Sequence, residues 1–248
     1  MGRERMTGQR AAGDASRDTV LFVPGLLCDE AVWSAQIDAL SGNFDYRIAQ
    51  LGTQDSIDSM ASAVLALSDG PFSLVGHSMG GYVALEVMRR APQRVQRLAL
   101  LSTQPRADSP EQAARRKKLF EEAELGGFQD VIAGFPALLF HESRLAEPPM
   151  IKAFDEMAWR VGKEAFLRQQ RAIMGRVNSV ASLSAISCPT LVLCGRQDLI
   201  TPLANSQLMA ETIAGAALIV LEDCGHMAPM ERPEAVNAAL REWMERNH

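Results

Sequence analysis

The sequence predicts an α/β fold, with a central, mostly parallel β-sheet that is flanked by helices and carries a helical cap insertion. Short apolar runs rich in β-forming residues alternate with helical patterns along most of the 248 residues, which is typical of a parallel sheet covered on both faces. Most of these runs are continuously apolar, as expected for strands buried on both sides. The alternation stops between residues 104 and 187, where only helical patterns occur.

Six segments are predicted to be strands, and helices fall between them. The predicted strands are Thr19–Val23, Tyr46–Gln50, Phe72–Val75, Arg97–Leu101, Thr190–Cys194 and Ala217–Leu221. The predicted helices around the sheet are Ala31–Leu40, Ser56–Leu67, Gly80–Ala91, Pro202–Ile213 and Pro233–Arg246. Pro92 marks a helix end and Pro189 a strand start, because proline cannot donate a backbone hydrogen bond within either element.

The segment between the fourth and fifth predicted strands contains four helical patterns. They are Pro110–Leu125, Phe128–Phe140, Pro149–Gly162 and Lys163–Arg176. Because this segment begins and ends at strands of one sheet, we expect it to pack over the strand ends as a cap or lid. The predicted domains are therefore a core of residues 19–103 and 188–248 and a cap of residues 104–187. Residues 1–18 are expected to be a disordered extension rather than a signal peptide.

Composition and charge argue against several classes of function. The formal net charge is −5, and the basic run Arg115–Lys118 is followed at once by glutamates. We therefore interpret that run as a solvated helix face rather than an anion or nucleic-acid site. No apolar stretch has the length of a transmembrane helix.

The four cysteines do not have the spacing of a metal site. They are Cys28, Cys188, Cys194 and Cys224. Without a secretory signal, free thiols in a reducing cytoplasm are expected rather than disulfides. No metal ion and no cofactor are predicted.

A serine flanked by glycines is the most informative local pattern. Residues Gly76–Gly81 read Gly-His-Ser-Met-Gly-Gly and stand between an apolar run and a helical pattern, which matches the G-x-S-x-G nucleophile elbow. In this turn the serine backbone is strained, and the helix packs so closely on the strand that positions 76 and 80 leave no room for a side chain. Ser78 is therefore the predicted nucleophile, at the carboxyl end of the sheet.

A serine hydroxyl needs a base that is itself oriented by a third group. Of the four histidines, His77 is adjacent to the serine and is expected to point away from the site, His141 lies in the insertion, and His248 is the terminal residue. His226 follows the last predicted strand on a loop that contains glycine. We predict that His226 is the base.

The acid is expected just after a strand. Asp198 opens the loop after the fifth predicted strand, and the order Ser78, Asp198, His226 is the serine–acid–histidine order that accompanies this elbow. Asp223 is closer to His226 in sequence, but its position three residues upstream suits a loop-bracing role better. We predict that Asp198 is the acid.

Acyl transfer also needs N–H donors for the oxyanion, and loss of one donor can cost about 100- to 1000-fold in rate. One predicted donor is the backbone N–H of Met79, directly after the nucleophile. The other is the backbone N–H of Leu26, in the loop after the first strand, where Gly25 permits a sharp turn.

These stretches resemble the α/β-hydrolase fold superfamily, and within it the small single-chain esterases. The resemblance rests on Val20–Leu26 with Trp33 downstream, Gly76–Gly81, Leu193–Asp198, Cys224–Met227 and Glu231–Pro233. The chain is similar in particular to esterases of pimeloyl-carrier-protein methyl ester and to enol-lactonases. The resemblance implies a mostly parallel sheet, a helical cap and metal-free hydrolysis through an acyl-enzyme.

Two departures from the family pattern affect the prediction. Family members commonly have His-Gly in the oxyanion loop, whereas Pro24 replaces that histidine here, so no side-chain role is expected at this position. The family also usually has two strands before the first one identified. Residues 1–18 are too polar to supply both, so a sheet shortened at that edge is expected.

The leading hypothesis is a carboxylic-ester hydrolase that acts on a small-molecule ester, either free or carrier-linked. The insertion is expected to supply an apolar acyl pocket. The candidate lining residues are Leu27, Leu138, Leu139, Phe140, Trp159 and Phe166. The sequence identifies neither the acyl group, nor the alcohol, nor the oligomeric state.

Other classes of function stay open at this point. The scaffold also resembles enzymes that use the serine–histidine pair for elimination or C–C cleavage, such as the menaquinone-pathway synthase, and cofactor-free perhydrolases. Those that act on anionic substrates need a positive clamp, for which Arg168, Arg171 and Arg176 are available, the alternative being a solvated helix face. Some proteins of this fold are non-catalytic small-molecule receptors, since fold alone does not fix function.

Overall fold

The computed structural model describes residues 18–42 and 44–245 and contains a six-stranded sheet in the order β2-β1-β3-β4-β5-β6. All neighbouring strands are parallel, which confirms the predicted α/β class. The strands are β1 (Thr19–Val23), β2 (Asp45–Ile48), β3 (Phe72–His77), β4 (Val95–Leu101), β5 (Thr190–Gly195) and β6 (Ala217–Leu221). Each predicted strand is present, and β3 continues to His77, two residues beyond its predicted end.

Helices cover both faces of this sheet. They are α1 (Ser34–Leu40), α2 (Ile57–Leu65), α3 (Met79–Arg90), α4 (Pro110–Glu122), α5 (Phe128–Gly134), α6 (Pro136–Leu139), α7 (Pro148–Met174), α8 (Leu203–Thr212), α9 (Ala228–Glu231) and α10 (Pro233–Glu245). Gly162 interrupts α7 with φ +80°, at the boundary between two predicted helices. None of the helices within the described residues has the length and apolar content that crossing a membrane requires.

The segment between β4 and β5 contains α4 to α7 and, within the described residues, no strand. The predicted N-terminal extension comprises residues 1–18. Residues 1–17 lie outside the described residues, and Asp18 is the one residue of the extension that the structure describes. Among the described residues the sheet ends at β2 on one edge and at β6 on the other.

The strands at the centre of the sheet are apolar on both sides. Val75 of β3 belongs to an apolar cluster on one face that includes Trp33 and Phe166, whereas the preceding residue, Leu74, belongs to a cluster on the other face with Val83. Successive side chains of a strand point to opposite faces. Both positions are therefore apolar, which explains why the strand sequences show no alternation.

The strand order determines where a site can form. The chain runs from β1 outward to β2 and returns to the other side of β1 as β3, so the carboxyl ends of β1 and β3 meet at a topological switch point, where open α/β sheets bind ligands. Strained backbone, which clusters at functional sites, occurs close to this edge. Among the described residues, the non-glycine residues with positive φ are Leu27, Ser78, Ser102 and Asp223.

Gly80 marks the closest approach of α3 to the sheet. A Cβ added to Gly80 would lie 2.0 Å from the carbonyl oxygen of Val23, and one added to Gly76 would lie 2.5 Å from the carbonyl oxygen of Gly80. We expect Gly80→Ala to lower the free energy of unfolding, measured by urea denaturation, by about 3 kcal/mol, because backbone must move to admit the methyl group. Gly134→Ala is the matched control, since its added Cβ meets nothing within 4 Å. An equal loss in both variants would contradict the steric explanation.

Candidate active site

Ser78 occupies the turn between β3 and α3. Its backbone has φ +53° and ψ −115°, a conformation that costs about 1–3 kcal/mol. The Ser78 N–H donates to the carbonyl oxygen of Leu101 (3.0 Å), and its carbonyl oxygen accepts from the Gly81 N–H (2.9 Å) and the Thr103 hydroxyl (2.8 Å). These bonds hold the strained turn, and the Ser78 side chain lines a cavity at the carboxyl edge of the sheet.

Two side chains reach Ser78 from the loops after β5 and β6. Nε2 of His226 lies 2.8 Å from Oγ of Ser78, and Nδ1 of His226 lies 2.9 and 3.0 Å from the two carboxylate oxygens of Asp198. Because an ionised carboxylate only accepts hydrogen bonds, Nδ1 carries the proton and Nε2 accepts the Ser78 hydroxyl. The structure thus brings together the three side chains that the sequence singled out.

Asp198 is buried but extensively hydrogen-bonded. Burial alone would raise the pKa of its carboxyl, but the adjacent His226 ring and the hydrogen bonds from His226 and Thr201 lower it below its usual value. Oδ1 accepts from the N–H groups of Ile200 (2.9 Å) and Thr201 (2.8 Å), and Oδ2 accepts from the Thr201 hydroxyl (2.7 Å). Asp223, by contrast, is exposed and lies 3.5 Å from the guanidinium of Arg232.

His77 does not point away from the site, and here the sequence-based expectation is wrong. Its ring centroid lies 5.3 Å from that of His226, and its Nε2–H donates to the His226 carbonyl oxygen (3.0 Å). The reason is that β3 continues to residue 77, so the alternation along the strand turns His77 to the same face as Val75, where it meets Trp33. Its Nδ1 is buried without a hydrogen-bond partner among the described residues.

Buried His77 should make the stability of the protein sensitive to acid. Burial, reinforced by the nearby His226, lowers the pKa of His77 to about 3. Between pH 6.5 and 3 the unfolded chain binds a proton here that the folded chain does not, so the free energy of unfolding falls as the pH is lowered through this window. Above pH 6.5 neither state is protonated and the effect vanishes.

From pH 7 to pH 5 we therefore expect the wild type to lose about 2 kcal/mol more stability than His77→Gln. Glutamine cannot be protonated, yet its amide can still donate to the His226 carbonyl oxygen. Urea unfolding of both proteins at the two pH values measures this difference. Parallel pH dependence in the two proteins would show that His77 is protonated in the folded state.

Glu231 is a buried carboxylate that the sequence analysis assigned no role at the site. Its oxygens accept the backbone N–H groups of Gly225 (3.1 Å) and Met227 (3.1 Å), on either side of His226, and the N–H of His141 in the insertion (2.8 Å). Glu231 therefore fixes the His226 loop and joins it to the insertion. The available signal was a lone carboxylate in the apolar run after His226.

The two predicted oxyanion donors are free of other partners among the residues that the structure describes. Met79 begins α3, and neither its N–H nor that of Leu26 donates a hydrogen bond to a described residue. The loop of Leu26 comes close to the serine, because a Cβ on Gly25 would lie 3.2 Å from Cβ of Ser78. Both N–H groups are thus available to an acceptor next to Ser78.

A glutamine of the insertion holds the loop that contains Leu26. Oε1 of Gln169, on α7, accepts the N–H of Leu27 (3.1 Å), and Nε2 of Gln169 donates to the Leu51 carbonyl oxygen (3.2 Å). Leu27 has φ +58°, the sign that a type II turn requires at its third residue. The adjacent Arg168 binds the carbonyl oxygen of Gly52 (2.8 Å). These contacts join residues more than 100 positions apart, and no local pattern in the sequence indicates them.

A cavity of about 190 Å³ opens beside Ser78 and His226. For comparison, a cavity of about 150 Å³ accommodates benzene, so this one suits a small substrate. Leu27, Leu138 and Leu139, which the sequence proposed as lining, border the cavity. Its other apolar neighbours include Leu119, Phe135, Phe154, Ile173, Leu199 and Met227.

Phe140, Trp159 and Phe166 do not line the cavity, which corrects the sequence-based expectation. Phe166 is fully buried against Phe128, with 5.7 Å between the ring centroids, and Trp159 meets the same ring while remaining 52% exposed. Phe140 packs on Phe154. Apolar composition does not reveal which face of an insertion helix turns toward Ser78, so these rings were misplaced.

The arginines of the insertion also differ from the expectation. Arg115 and Arg116, predicted to lie on a solvated face, both line the cavity. Arg115 is nevertheless exposed, like the two lysines that follow, whereas Arg116 is partly buried. The three arginines considered as a clamp do not line it and have other partners. These are the carbonyl oxygen of Gly52 for Arg168, the ring of Phe120 for Arg171 and the carboxylate of Asp108 for Arg176.

The four cysteines are buried and unpaired. Cys28 lines the cavity, but burial and the nearby Asp29 raise the pKa of its thiol to about 12. Because the thiolate is the nucleophilic form, Cys28 does not compete with Ser78 at neutral pH. Within residues 18–42 and 44–245, no three His, Cys, Asp or Glu side chains form a group that could hold a metal ion.

Known proteins resemble this chain in sequence and in structure. Residues 39–233 match the model of the α/β hydrolase fold family. The chain is 28% identical to RutD of Agrobacterium fabrum, whose name proposes carbamate hydrolase activity, over 93% of this chain and 94% of that protein. It is 26% identical to the pimeloyl-[acyl-carrier protein] methyl ester esterase of Nitrosomonas europaea, over 87% of this chain and 91% of that protein.

Two solved structures are similar over nearly the whole chain. A thermophilic esterase from Thermogutta terrifontis, solved with malate bound, has a TM-score of 0.85 and 31% identity and covers 92% of this chain and 90% of its own. The enol-lactonase from Burkholderia xenovorans has a TM-score of 0.84 and covers 94% and 93%. At 24% identity, the second likeness concerns the fold alone.

Proposed function

Because the chain belongs to the α/β-hydrolase fold family, as its motifs predicted, we propose that it is a serine hydrolase that cleaves a carboxylic ester through an acyl-enzyme on Ser78. The observation that carries this proposal is the hydrogen-bonded series from Ser78 Oγ through His226 to Asp198, beside a cavity. The relatives named as esterases support the same class of reaction.

The proposed reaction has two halves that use the same side chains. Oγ of Ser78 attacks the ester carbonyl carbon while Nε2 of His226 accepts the hydroxyl proton, which His226 then donates to the departing alcohol. In the second half His226 takes a proton from water, the resulting hydroxide attacks the acyl carbon, and Ser78 recovers its proton as the acid leaves. Asp198 keeps Nδ1 of His226 protonated and stabilises the imidazolium in both halves.

In this mechanism the backbone N–H groups of Leu26 and Met79 bind the carbonyl oxygen as it becomes negative. Neither N–H donates to another described residue, so little reorganisation is needed during the reaction. The helical segment 104–187 is the proposed cap over the core of residues 19–103 and 188–248. Its apolar side chains form one wall of the cavity and exclude water, which strengthens the electrostatic contacts within the site.

Covalent trapping tests this proposal. The protein is treated with a fluorophosphonate, its intact mass is measured, and the modified peptide is located by digestion; a series of 4-nitrophenyl esters of increasing acyl length is assayed in parallel. We expect one adduct, on the peptide that contains Ser78, together with ester turnover. Labelling without turnover of any ester would favour elimination or C–C cleavage. Absence of both would favour a binding protein, and either outcome would overturn the proposal.

Gln169 is expected to position the Leu26 donor. Gln169→Leu should lower kcat about 10-fold with little change in KM, because the loop loses the hydrogen bond at Leu27, and a misplaced donor weakens binding of the transition state more than that of the ester. Steady-state kinetics with 4-nitrophenyl acetate measure the two constants. Arg168→Met, which releases the same helix from Gly52 but leaves this loop bonded, is the matched control. Equal losses of kcat would indicate general loosening of α7 instead.

A further inference from the structure

One face of α4 brings polar groups into the otherwise apolar cavity. Gln112, Arg115, Arg116 and Leu119 all line it, and their spacing of three and four residues places them on the same side of a helix. Gln170 of α7 lines the cavity from another element. The cavity that contains Ser78 therefore has an apolar part and a polar part made mainly of hydrogen-bond donors.

Positive charge is in excess in and beside the polar part. Arg115 and Arg116 line the cavity, whereas Asp108 and Arg176 are their neighbours outside the lining. The carboxylate of Asp108, only 4% exposed, is shared by two guanidinium groups: Oδ2 accepts from Nε of Arg116 (2.8 Å) and Oδ1 from Nη2 of Arg176 (2.7 Å). One carboxylate thus faces two cations. Arg115 adds a further cation, which has no ion pair within the described part of the chain.

Two donors in this part of the cavity have no acceptor. Nη1 of Arg116 donates to Oε1 of Gln170 (3.1 Å), but Nη2 of Arg116 donates to no described residue. Gln170 is fully buried, and its Nε2 also has no partner within the described ranges. Of these two donors, Nε2 of Gln170 is the buried one. A buried donor without a partner costs about 1–3 kcal/mol, and a ligand that supplies the missing acceptor removes this cost.

We propose that this cavity selects esters that carry a free carboxylate in addition to the scissile group, and that Arg116 and Gln170 bind that carboxylate. The inference rests on the proposed esterase function and names its class of substrate. A carboxylate has two oxygens in one plane, which suits an adjacent guanidinium and amide, and hydrogen bonds to an ionised group are about twice as strong as neutral ones. A small cavity with an apolar part fits a short half-ester of a dicarboxylic acid.

Matched substrates test the preference. Mono-4-nitrophenyl glutarate carries the carboxylate, and methyl 4-nitrophenyl glutarate has the same chain but is neutral. We expect kcat/KM of the wild type to be at least about 10-fold higher for the acid, since a hydrogen bond to a charged group contributes a factor of this size. Equal or faster hydrolysis of the neutral diester would overturn the proposal.

Variants then test which residues cause the preference for the acid over the neutral diester. Arg116→Gln and Gln170→Leu are each expected to raise KM for the acid about 10-fold or more, while kinetics with the neutral diester stay within about 3-fold of the wild type. Lys117→Gln is the matched control, because Lys117 lies on the same helix but is exposed and does not line the cavity. This variant should leave the kinetics with both substrates unchanged. If Arg116→Gln fails to fold because Asp108 loses a partner, Gln170→Leu still gives the result. Equal losses on both substrates would overturn the assignment.

Binding without turnover separates this inference from the proposed function. Glutarate is expected to raise the Tm of the wild-type protein and to inhibit it competitively, whereas glutaramide and inorganic phosphate at the same concentration do neither. Glutarate binding in a protein that turns over no ester would refute the esterase proposal and retain the carboxylate site. Ester turnover without glutarate binding or acid preference would refute the carboxylate site alone, and an equal effect of phosphate would indicate an unselective anion site.

Discussion

Ser78→Ala is expected to lower kcat/KM for 4-nitrophenyl esters by about a million-fold and to abolish fluorophosphonate labelling. The variant retains the cavity and the His226–Asp198 pair but has no oxygen to attack the carbonyl carbon. A loss of this size is typical when the nucleophile of such a group of residues is removed, and it corresponds to about 8 kcal/mol of transition-state stabilisation. Burst kinetics and intact-mass analysis of the variant measure it.

The control for this variant is Ser102→Ala. Ser102 also has positive φ (+44°) and is buried at the end of a strand, but its hydroxyl has no hydrogen-bond partner among the described residues and it does not line the cavity. We expect Ser102→Ala to keep wild-type turnover, and Ser78→Ala to keep wild-type Tm, since the bonds that hold its turn are made by backbone atoms. Turnover by Ser78→Ala above about 1% of wild type would exclude Ser78 as the nucleophile.

Asp198→Asn is expected to lower kcat about 10,000-fold while the fold is retained. The asparagine Oδ1 can still accept the N–H groups of Ile200 and Thr201, so its amide nitrogen faces Nδ1 of His226. Nδ1 then has to accept a hydrogen bond, the ring proton moves to Nε2, and the base can no longer take the proton of Ser78. Single-turnover kinetics, with circular dichroism to verify folding, test this.

Asp223→Asn is the matched control for the acid. Asp223 is exposed, and within the described part of the chain its carboxylate is paired only with Arg232, at 3.5 Å. Such surface pairs contribute little to stability. We expect its kcat to stay within about 2-fold of wild type. If the two variants lost activity to the same extent, Asp198 would not be the residue that orients His226, and the loop before His226 would have to carry that role.

The sequence predicted the fold well because the features that determine the fold are local. Strands buried on both faces produce continuous apolar runs. The glycines of the elbow occupy positions where an added Cβ would lie only 2.0 to 2.5 Å from backbone oxygens. Ser78, Asp198 and His226 were likewise identified because each follows a strand, and the carboxyl ends of parallel strands share one edge of the sheet. The structure brings their side chains within hydrogen-bonding distance.

The cavity could not be predicted in this way. Its lining depends on how each insertion helix is rotated about its own axis, and the sequence of a short helix covered on more than one side does not fix that rotation. The aromatic residues Phe140, Trp159 and Phe166 were therefore expected at the cavity, while Arg116, which is partly buried there, was expected in solvent. The sequence around the basic run does contain a usable pattern, because one helix face carries Gln112, Arg115, Arg116 and Leu119. This pattern indicates a cavity lining only once the position of α4 beside Ser78 is known.

Hydrogen bonds at several points around the cavity connect the insertion to the rest of the protein. Gln169 binds the loop at Leu27, the N–H of His141 binds Glu231, and Arg160 binds both carboxylate oxygens of Asp29, at 2.8 and 3.2 Å. A hinged swing of these helices would break all the tethers together, at about 1 kcal/mol for each hydrogen bond. We therefore expect substrate to enter through motion of exposed lining side chains such as Leu199, which is 64% exposed, and exposed side chains move on picosecond-to-nanosecond timescales. Product release should accordingly be fast. In the proposed mechanism, turnover should then be limited by acylation or deacylation of Ser78 rather than by a slow opening of the insertion.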